Sequence, residues 1–83
     1  MLNVDKKIKI DDIYVPQAKR KTLDPAKVEA IATSMMESGQ KTPILVRPDG
    51  DRYVLVEGLH RLEAAKAIGE TTILAMVVQA RRS

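Results

Sequence analysis

Residues 24–39 carry both a helix start and a helix stop, and they limit the fold more than any other stretch of the sequence. Asp24 can accept hydrogen bonds from free backbone N–H groups as an N-cap, and Pro25 suits the first helical position, where its missing N–H costs nothing. Gly39 can adopt the left-handed conformation that ends a helix. The apolar residues between these ends recur at helical spacing and predict one apolar face: Val28, Ile31, Ala32, Met35 and Met36.

Four apolar runs outside this helix predict β-strands. Residues 6–10 alternate between polar and apolar side chains, and residues 71–78 are rich in β-branched ones. The other two runs, residues 44–46 and 53–56, flank a Pro-Asp-Gly sequence in which Gly50 can supply the positive φ of a tight turn. These two runs therefore predict a β-hairpin.

A second, shorter helix is predicted directly after the hairpin, over residues 59–68, with Gly69 at its end. Residues 11–24 contain a proline and no lasting period, so we predict an irregular connection there. The order strand, loop, helix, hairpin, helix, strand lacks regular βαβ alternation and predicts an α+β fold, with a mixed sheet and two main helices. A chain of this length is enough for one small domain, expected over residues 1–83 with its core at about 8–78.

Composition excludes several classes of protein. The chain has no cysteine, so disulfide staples, thiolate metal sites and cysteine redox chemistry are excluded, and its single histidine cannot build a usual zinc site. No apolar run approaches the roughly 20 residues of a membrane span, and the charged start at residues 1–12 lacks the apolar core of a signal peptide. We therefore expect a cytoplasmic protein with no membrane partner.

The net charge of +3 permits a polyanionic partner. Phenylalanine and tryptophan, which stack on bases in many nucleic-acid sites, are absent, so the charge alone does not favour nucleic acid over an ordinary solvated surface. The clustered basic residues are Lys6, Lys7 and Lys9; Lys19, Arg20 and Lys21; and Arg81 and Arg82.

A histidine and an arginine lie in the first turn of the predicted second helix, directly after a strand and a glycine. Gly58 lets a ligand approach the backbone closely, and the free N–H groups of a helix start favour an anion. His60 and Arg61 could both donate to phosphate oxygens, whereas positive side chains at a helix start are unfavourable without an anion. The stretch predicts a phosphate site, and the alternative is a glycine turn followed by two surface residues.

Other polar residues are weaker candidates for the same site. Glu57, beside Gly58, could hold Mg²⁺ or act as a base, but a solvent-facing strand end is the simpler explanation. Lys27 and Ser34 lie off the apolar face of the first helix and could line a cleft, or be plain surface residues. Arg20, in a basic loop, could close over a nucleotide or contact DNA phosphates.

Three longer stretches, VPQAKRKTLD, ESGQKTPILVRP and EGLHRLEAAKAIGE, occur in an order and at a spacing that resemble the ParB/sulfiredoxin superfamily. The likeness is to the ParB N-terminal domain and runs from about Ile8 to Val78. It implies a small ParB-like fold standing alone, and a nucleotide whose phosphates lie on Gly58, His60 and Arg61.

The resemblance implies roles for further residues. Arg20 matches a ParB arginine in the first loop, Lys27 matches a sulfiredoxin lysine near the nucleotide, and Ser34 matches a helix hydroxyl there. Lys41 and Thr42 lie where ParB places a loop that contacts base and phosphate. The implied ligand is CTP or ATP with Mg²⁺, without a metal site built by the protein itself.

Position 59 departs from the superfamily patterns. Sulfiredoxins have their catalytic cysteine there, so Leu59 excludes sulfiredoxin activity. ParB has a glutamate implicated in CTP turnover, a role that Leu59 cannot fill, so CTP hydrolysis is not implied. A third branch phosphorylates free serine and carries an acid-Gly-His-His-Arg motif, to which EGLHR is similar, with Glu57 in the acidic position.

Taken with the resemblance, the sequence predicts a ParB-like nucleotide-binding module linked to DNA segregation or to plasmid or mobile-element regulation. Two alternatives stay open. One is an enzyme of the same superfamily (a small-molecule kinase, an NTPase or a nuclease) with Glu57 as its catalytic group. The other is a DNA- or protein-binding adaptor that uses no nucleotide. DNA, a partner protein and a second copy of the chain all stay open as partners.

Overall fold

The structure, a computed structural model, describes residues 5–79. Along the chain, β1 (Asp5–Lys9) leads through a 3₁₀ turn (Ile10–Asp12) into β2 (Ile13–Tyr14), α1 (Gln17–Arg20) and α2 (Pro25–Ser38). The strands β3 (Ile44–Asp49) and β4 (Arg52–Glu57), the helix α3 (Leu59–Ala67) and the strand β5 (Thr72–Val77) follow. The basic pair Arg81 and Arg82 lies outside the described residues.

All five strands join in one mixed sheet, in the order β1-β5-β3-β4-β2. The pairs β1–β5 and β3–β4 are antiparallel, whereas β3–β5 and β2–β4 are parallel. The predicted α+β class, with a hairpin inside a mixed sheet, is therefore confirmed. β3 is the central strand because the hairpin places it beside β4 while its other edge pairs with β5.

The hydrophobic core lies where α3 packs on the sheet. Leu59, Leu62 and Ala65 of α3 belong to one buried cluster with residues of the strands and loops. Those partners are Ile8, Ile10, Val15, Ile44, Val46, Leu55, Ile73 and Ala75. Leu62 is fully buried, and burial of one such side chain stabilises the fold by about 1.5–3 kcal/mol. The start of α3 is thus anchored by its own first residue, Leu59.

α2 packs against α3 and forms a second helical layer. Its predicted ends are confirmed, because the Asp24 carboxylate accepts from the Ala26 N–H at 3.0 Å and Gly39 has a φ of 76°. None of its side chains is fully buried, and the half-buried ones are Val28, Ile31, Ala32 and Met35. The prediction that Met36 shares this face is wrong, since Met36 is 68% exposed. With α3 rather than the sheet beneath it, α2 buries a narrower stripe.

The prediction of an irregular connection over residues 11–24 is also wrong. The segment contains β2 and α1, and α1 includes Arg20, which we predicted in a loop. β2 pairs in parallel with β4, with Tyr14 opposite Val54, and the Arg52 guanidinium lies 4.4 Å from the centre of the Tyr14 ring. Two residues are too few to show a period, so the partner strand rather than the local sequence sets β2.

The predicted hairpin is confirmed, and its strands are longer than the apolar runs that predicted them. Gly50 has a φ of 63° in the turn, as the Asp-Gly sequence requires. The Arg52 Nε donates to the Asp49 carboxylate at 3.1 Å, which joins the two strand ends. The polar residues on either side of the turn, Asp49 and Arg52, therefore belong to the paired strands.

The two predicted main helices are α2 and α3, with 14 and 9 residues. α3 ends at Ala67, one residue earlier than predicted, and Gly69 follows with a φ of 85°. Between residues 5 and 79, no helix is long and apolar enough to cross a membrane.

Candidate functional site

α3 begins almost directly at the end of a strand of the sheet. β4 ends at Glu57 and α3 starts at Leu59, with Gly58 as the N-cap. No side chain caps this helix start. The first N–H groups of an uncapped helix are unsatisfied and carry partial positive charge, so this point of the molecule favours an anion.

Gly58 is required by the fold whether or not a ligand binds beside it. Its φ of 116° is a conformation that other residues rarely adopt, and a Cβ there would lie 2.6 Å from Cγ2 of Ile44. From the sequence we predicted that Gly58 serves to let a ligand approach the backbone closely. The structure gives a different reason, since the space that a side chain would need is filled by β3.

His60 joins the starts of the two main helices. Its Nε2 accepts a hydrogen bond from the backbone N–H of Asp24 at 2.9 Å. A neutral imidazole whose Nε2 accepts carries its proton on Nδ1, as inferred from this bond. We predicted His60 as a donor to phosphate, and the bond to Asp24 leaves only Nδ1–H for that role.

The start of α3 opens onto a cavity of about 380 Å³ beside α2. Its lining residues are Lys27, Ala30, Ile31, Glu57, Gly58, Leu59, His60 and Arg61. A second cavity, of about 240 Å³, is lined by Ile31, Ser34, Met35, Gly39, Gln40, Lys41, Thr42 and Arg61. Because Ile31 and Arg61 line both, the two cavities adjoin each other, and we call them together the α2–α3 cleft.

The α2–α3 cleft brings together all but one of the residues predicted for the site. Those it gathers are Lys27, Ser34, Lys41, Thr42, Glu57, Gly58, His60 and Arg61. Arg20 is the exception, because it lines a separate cavity of about 430 Å³ with Tyr14, Val15, Gln17 and Lys21. That cavity shares no lining residue with the cleft. The separation arises because α1 follows β2, at the edge of the sheet.

The sequence did not point to Gln40, which holds one wall of the cleft in place. Its Nε2 donates to the carbonyls of Thr42 at 2.9 Å and Leu74 at 2.8 Å. Its Oε1 accepts from the N–H of Leu74 at 2.7 Å. The amide therefore pairs with β5 as a backbone group would and fixes the segment after α2. A glutamine two residues past a helix gives no sequence signal for such a role.

The charged side chains on the cleft are mainly positive. Lys27, Lys41 and Arg61 line it together with a single carboxylate, Glu57. Neither of the two ion pairs found within residues 5–79 involves a residue of the cleft. The three cations are therefore available to an anionic ligand.

Metal ligation by the protein alone is not supported in the described part of the chain. Among residues 5–79, no three His, Cys, Asp or Glu side chains are grouped so as to hold a metal ion. One carboxylate together with the phosphates of a nucleotide is a usual donor set for Mg²⁺. Glu57 therefore fits a magnesium ion that arrives with its ligand, and no other carboxylate lines the cleft.

Comparison with known proteins gives a family match over nearly the whole chain. The model of the ParB N-terminal domain family matches residues 2–83. A probable chromosome-partitioning protein ParB of Campylobacter jejuni is 37% identical over 71 residues, which are 84% of this chain. The chain spans only 26% of the length of that relative.

Three solved structures resemble the fold. Sulfiredoxin from Arabidopsis thaliana has a TM-score of 0.84 at 25% identity, with 93% of this chain and 86% of that one covered. C-terminally truncated ParB from Caulobacter crescentus, complexed with CTP-γ-S, has a TM-score of 0.80 at 30% identity, with 94% and 46% covered. A free serine kinase in complex with AMP has a TM-score of 0.76 at 25% identity, with 89% and 30% covered.

Proposed function

The chain belongs to the ParB N-terminal domain family, and on that premise we propose that it binds a nucleoside triphosphate in the α2–α3 cleft. The phosphates would lie on the start of α3, contacted by backbone N–H groups, by Arg61 and by the Nδ1–H of His60. Lys27 would reach them from α2. The output of binding would serve DNA partition, the process for which the matched relatives are named.

The observation that carries this proposal is the difference between the two main helix starts. The start of α2 has a side-chain cap, because the Asp24 carboxylate accepts from the Ala26 N–H. The start of α3 has no side-chain cap, and Arg61 and Lys27 line the cavity next to it. Basic residues around an uncapped helix start are unfavourable unless an anion binds there. Of the two sites, only α3 is suited to phosphate.

The shape of the cleft suggests how the nucleotide would be oriented. The cavity at α3 and the one beside residues 39–42 together fall in the size range of small-molecule sites. With phosphates at α3, the base would lie beside residues 39–42, where backbone groups and Thr42 can read its edge. Gln40 fixes this wall through Leu74. CTP is the first ligand to test, because the structure of C-terminally truncated ParB from Caulobacter crescentus is a complex with its γ-thio analogue.

Magnesium would be held by Glu57 together with the nucleotide phosphates. The ion would neutralise phosphate charge, and Glu57 would orient it from the end of β4. We assign no hydrolytic step to Leu59, which is 8% exposed and has no group for acid–base chemistry.

Direct DNA binding by this chain is less well supported. The basic residues Lys6, Lys7 and Lys9 lie on β1, whereas Lys19, Arg20 and Lys21 follow β2. β1 and β2 form opposite edges of the sheet, so the clusters do not combine into one positive face. Nucleotide binding accounts for the cleft without requiring such a face.

One observation favours a second candidate function, phosphoryl transfer to a small molecule. Glu57 lines the same cavity as His60 and Arg61, and a free serine kinase is among the structural neighbours. In such a reaction Glu57 would accept the proton of a substrate hydroxyl as the hydroxyl oxygen bonds to the terminal phosphorus of the nucleoside triphosphate. The bond from that phosphorus to the bridging oxygen would break, and the nucleoside diphosphate would leave. Glu57→Gln would abolish turnover and leave nucleotide affinity largely intact if this candidate is right, and unchanged turnover would exclude it.

Isothermal titration calorimetry tests the main proposal, with CTP, ATP, ADP and GTP each in the presence of Mg²⁺. Loss of a charge-assisted hydrogen bond costs about 1.5–3 kcal/mol, so Arg61→Ala should weaken binding roughly 10- to 100-fold. Lys66→Ala is the matched control, because Lys66 lies on α3 but lines neither part of the cleft. Equal affinity in the wild type and Arg61→Ala would remove the proposed phosphate site.

A further inference from the structure

A hydrogen bond between side chain and backbone connects the proposed phosphate site to the start of α2. His60 Nε2 accepts from the Asp24 N–H at 2.9 Å. The two residues are 36 apart in sequence, and they occupy the starts of the two helices that form the cleft. The bond therefore ties the start of α2 to the start of α3, beside the proposed phosphate site.

The sequence around Asp24 explains why α2 needs this bond. In a capping box, the side chain at the third helical position accepts from the N–H of the N-cap residue. That position is Lys27 here, and an ammonium group has no lone pair with which to accept. His60 supplies the missing acceptor from the other helix. Lys27 is left free to line the cleft.

The bond can exist in only one protonation state of the imidazole. A neutral ring can accept at Nε2, whereas an imidazolium donates from both nitrogens and would direct N–H against N–H. The charged residues that line the cavity with His60 are Lys27 from α2, Glu57 from β4 and Arg61 from α3, and Asp24, whose N–H donates to His60, carries a carboxylate at the start of α2. Negative charge placed beside an imidazole favours its protonated form.

We propose that His60 is a latch that couples phosphate binding to the position of the segment 22–26. This inference rests on the proposed function, because the anion that protonates His60 is the phosphate group of the nucleotide. Without ligand, the neutral ring holds the Asp24 N–H and the start of α2. An anion at α3 favours the imidazolium, which gives up the Asp24 N–H and releases the segment. His60 thus acts as a positioning residue for α2 in addition to contacting the ligand.

Nuclear magnetic resonance on the uniformly ¹⁵N-labelled chain tests the latch in two independent arms. In the first, pH is lowered without ligand, and the imidazole nitrogens are followed together with the amides of residues 22–26. We expect Nε2 to be unprotonated at the high-pH end. We expect the Asp24 amide to shift and to lose protection from exchange with the same midpoint as the ring. An Asp24 amide that does not respond at this midpoint would overturn the latch.

The second arm uses inorganic tripolyphosphate as the probe, at a pH where the free imidazole is neutral. We expect the same amides to shift in the same direction as on acidification, with the ring becoming protonated. If tripolyphosphate and all nucleotides fail to bind, the proposed function is wrong, and the first arm still decides whether the latch exists. Binding that leaves the Asp24 amide unmoved would refute the coupling.

His60→Gln is the matched variant for the first arm, which uses no ligand. A glutamine amide oxygen can accept from the Asp24 N–H but cannot be protonated in this pH range. The variant should keep the folded amide spectrum while losing the pH response of residues 22–26. A response that persists in His60→Gln would assign it to a carboxylate and contradict the role of His60.

Discussion

Replacement of Gly58 by alanine tests the strand-to-helix turn on which the cleft is built. The residue has a φ of 116°, and the added Cβ would lie 2.6 Å from Cγ2, 2.9 Å from Cβ and 3.2 Å from Cα of Ile44. Ile44 is fully buried in the central strand and cannot move aside cheaply. Both the backbone and the packing therefore oppose the substitution.

The cost can be estimated from these two terms. A left-handed backbone costs a residue with a Cβ about 1–2 kcal/mol, and overpacking a filled core costs about 1–3 kcal/mol. Alanine also lowers the conformational entropy of the unfolded chain, which offsets about 0.4–1 kcal/mol of this loss of stability. We expect Gly58→Ala to lower the free energy of unfolding by about 2–4 kcal/mol, against a total of about 4–12 kcal/mol for a chain of this length.

Urea and thermal unfolding, followed by far-ultraviolet circular dichroism, measure this loss. Gly50→Ala is the matched control, because Gly50 also has a positive φ, 63°, but nothing lies within 4 Å of its added Cβ. The control should lose only about 1 kcal/mol, from backbone strain. Equal losses in Gly58→Ala and Gly50→Ala would show that the contact with Ile44 carries no cost, and the reasoning would be refuted.

Two further predictions concern single hydrogen-bonding side chains. Asp24→Ala removes the cap of α2 and should cost about 1 kcal/mol in urea unfolding, whereas Asp24→Asn, which retains a capping oxygen, should cost little; similar losses in both would contradict the cap. Gln40→Ala leaves the partly buried N–H and C=O of Leu74 without their side-chain partner and should cost about 1–3 kcal/mol. The exposed Gln17→Ala is its control, and a Gln40→Ala variant as stable as this control would show that water replaces the amide.

The sequence predicted those helices and turns that are determined by residues close together along the chain. Asp24 and Gly39 bound α2 because capping depends on a few adjacent residues. The turn at Gly50 follows from the same kind of local chemistry. By contrast, β2 and the exposure of Met36 depend on what lies across from them in the fold. Periodicity along the chain carries no information on such partners.

In the candidate site too, local features could be predicted from the sequence and contacts between distant residues could not. EGLHR pointed to the start of α3 because an uncapped helix beside a glycine can be recognised from the sequence. The bond from Asp24 to His60 and the amide pairing of Gln40 join residues far apart in sequence, so no local pattern predicts them. Arg20 shows a different weakness of sequence comparison. Its likeness to a ParB arginine predicted a place beside the phosphates, whereas in the structure it lines a cavity outside the cleft.

The pairing of β1 with β5 sets the order in which the domain can be completed during synthesis. Ile8 lies opposite Ile73, so within this domain β1 is synthesised before β5, the strand with which it pairs. Until then the apolar side of β1 is uncovered on a nascent chain. Lys6, Lys7 and Lys9 surround Ile8 with charge, as expected of residues that keep a lone strand from pairing with another chain.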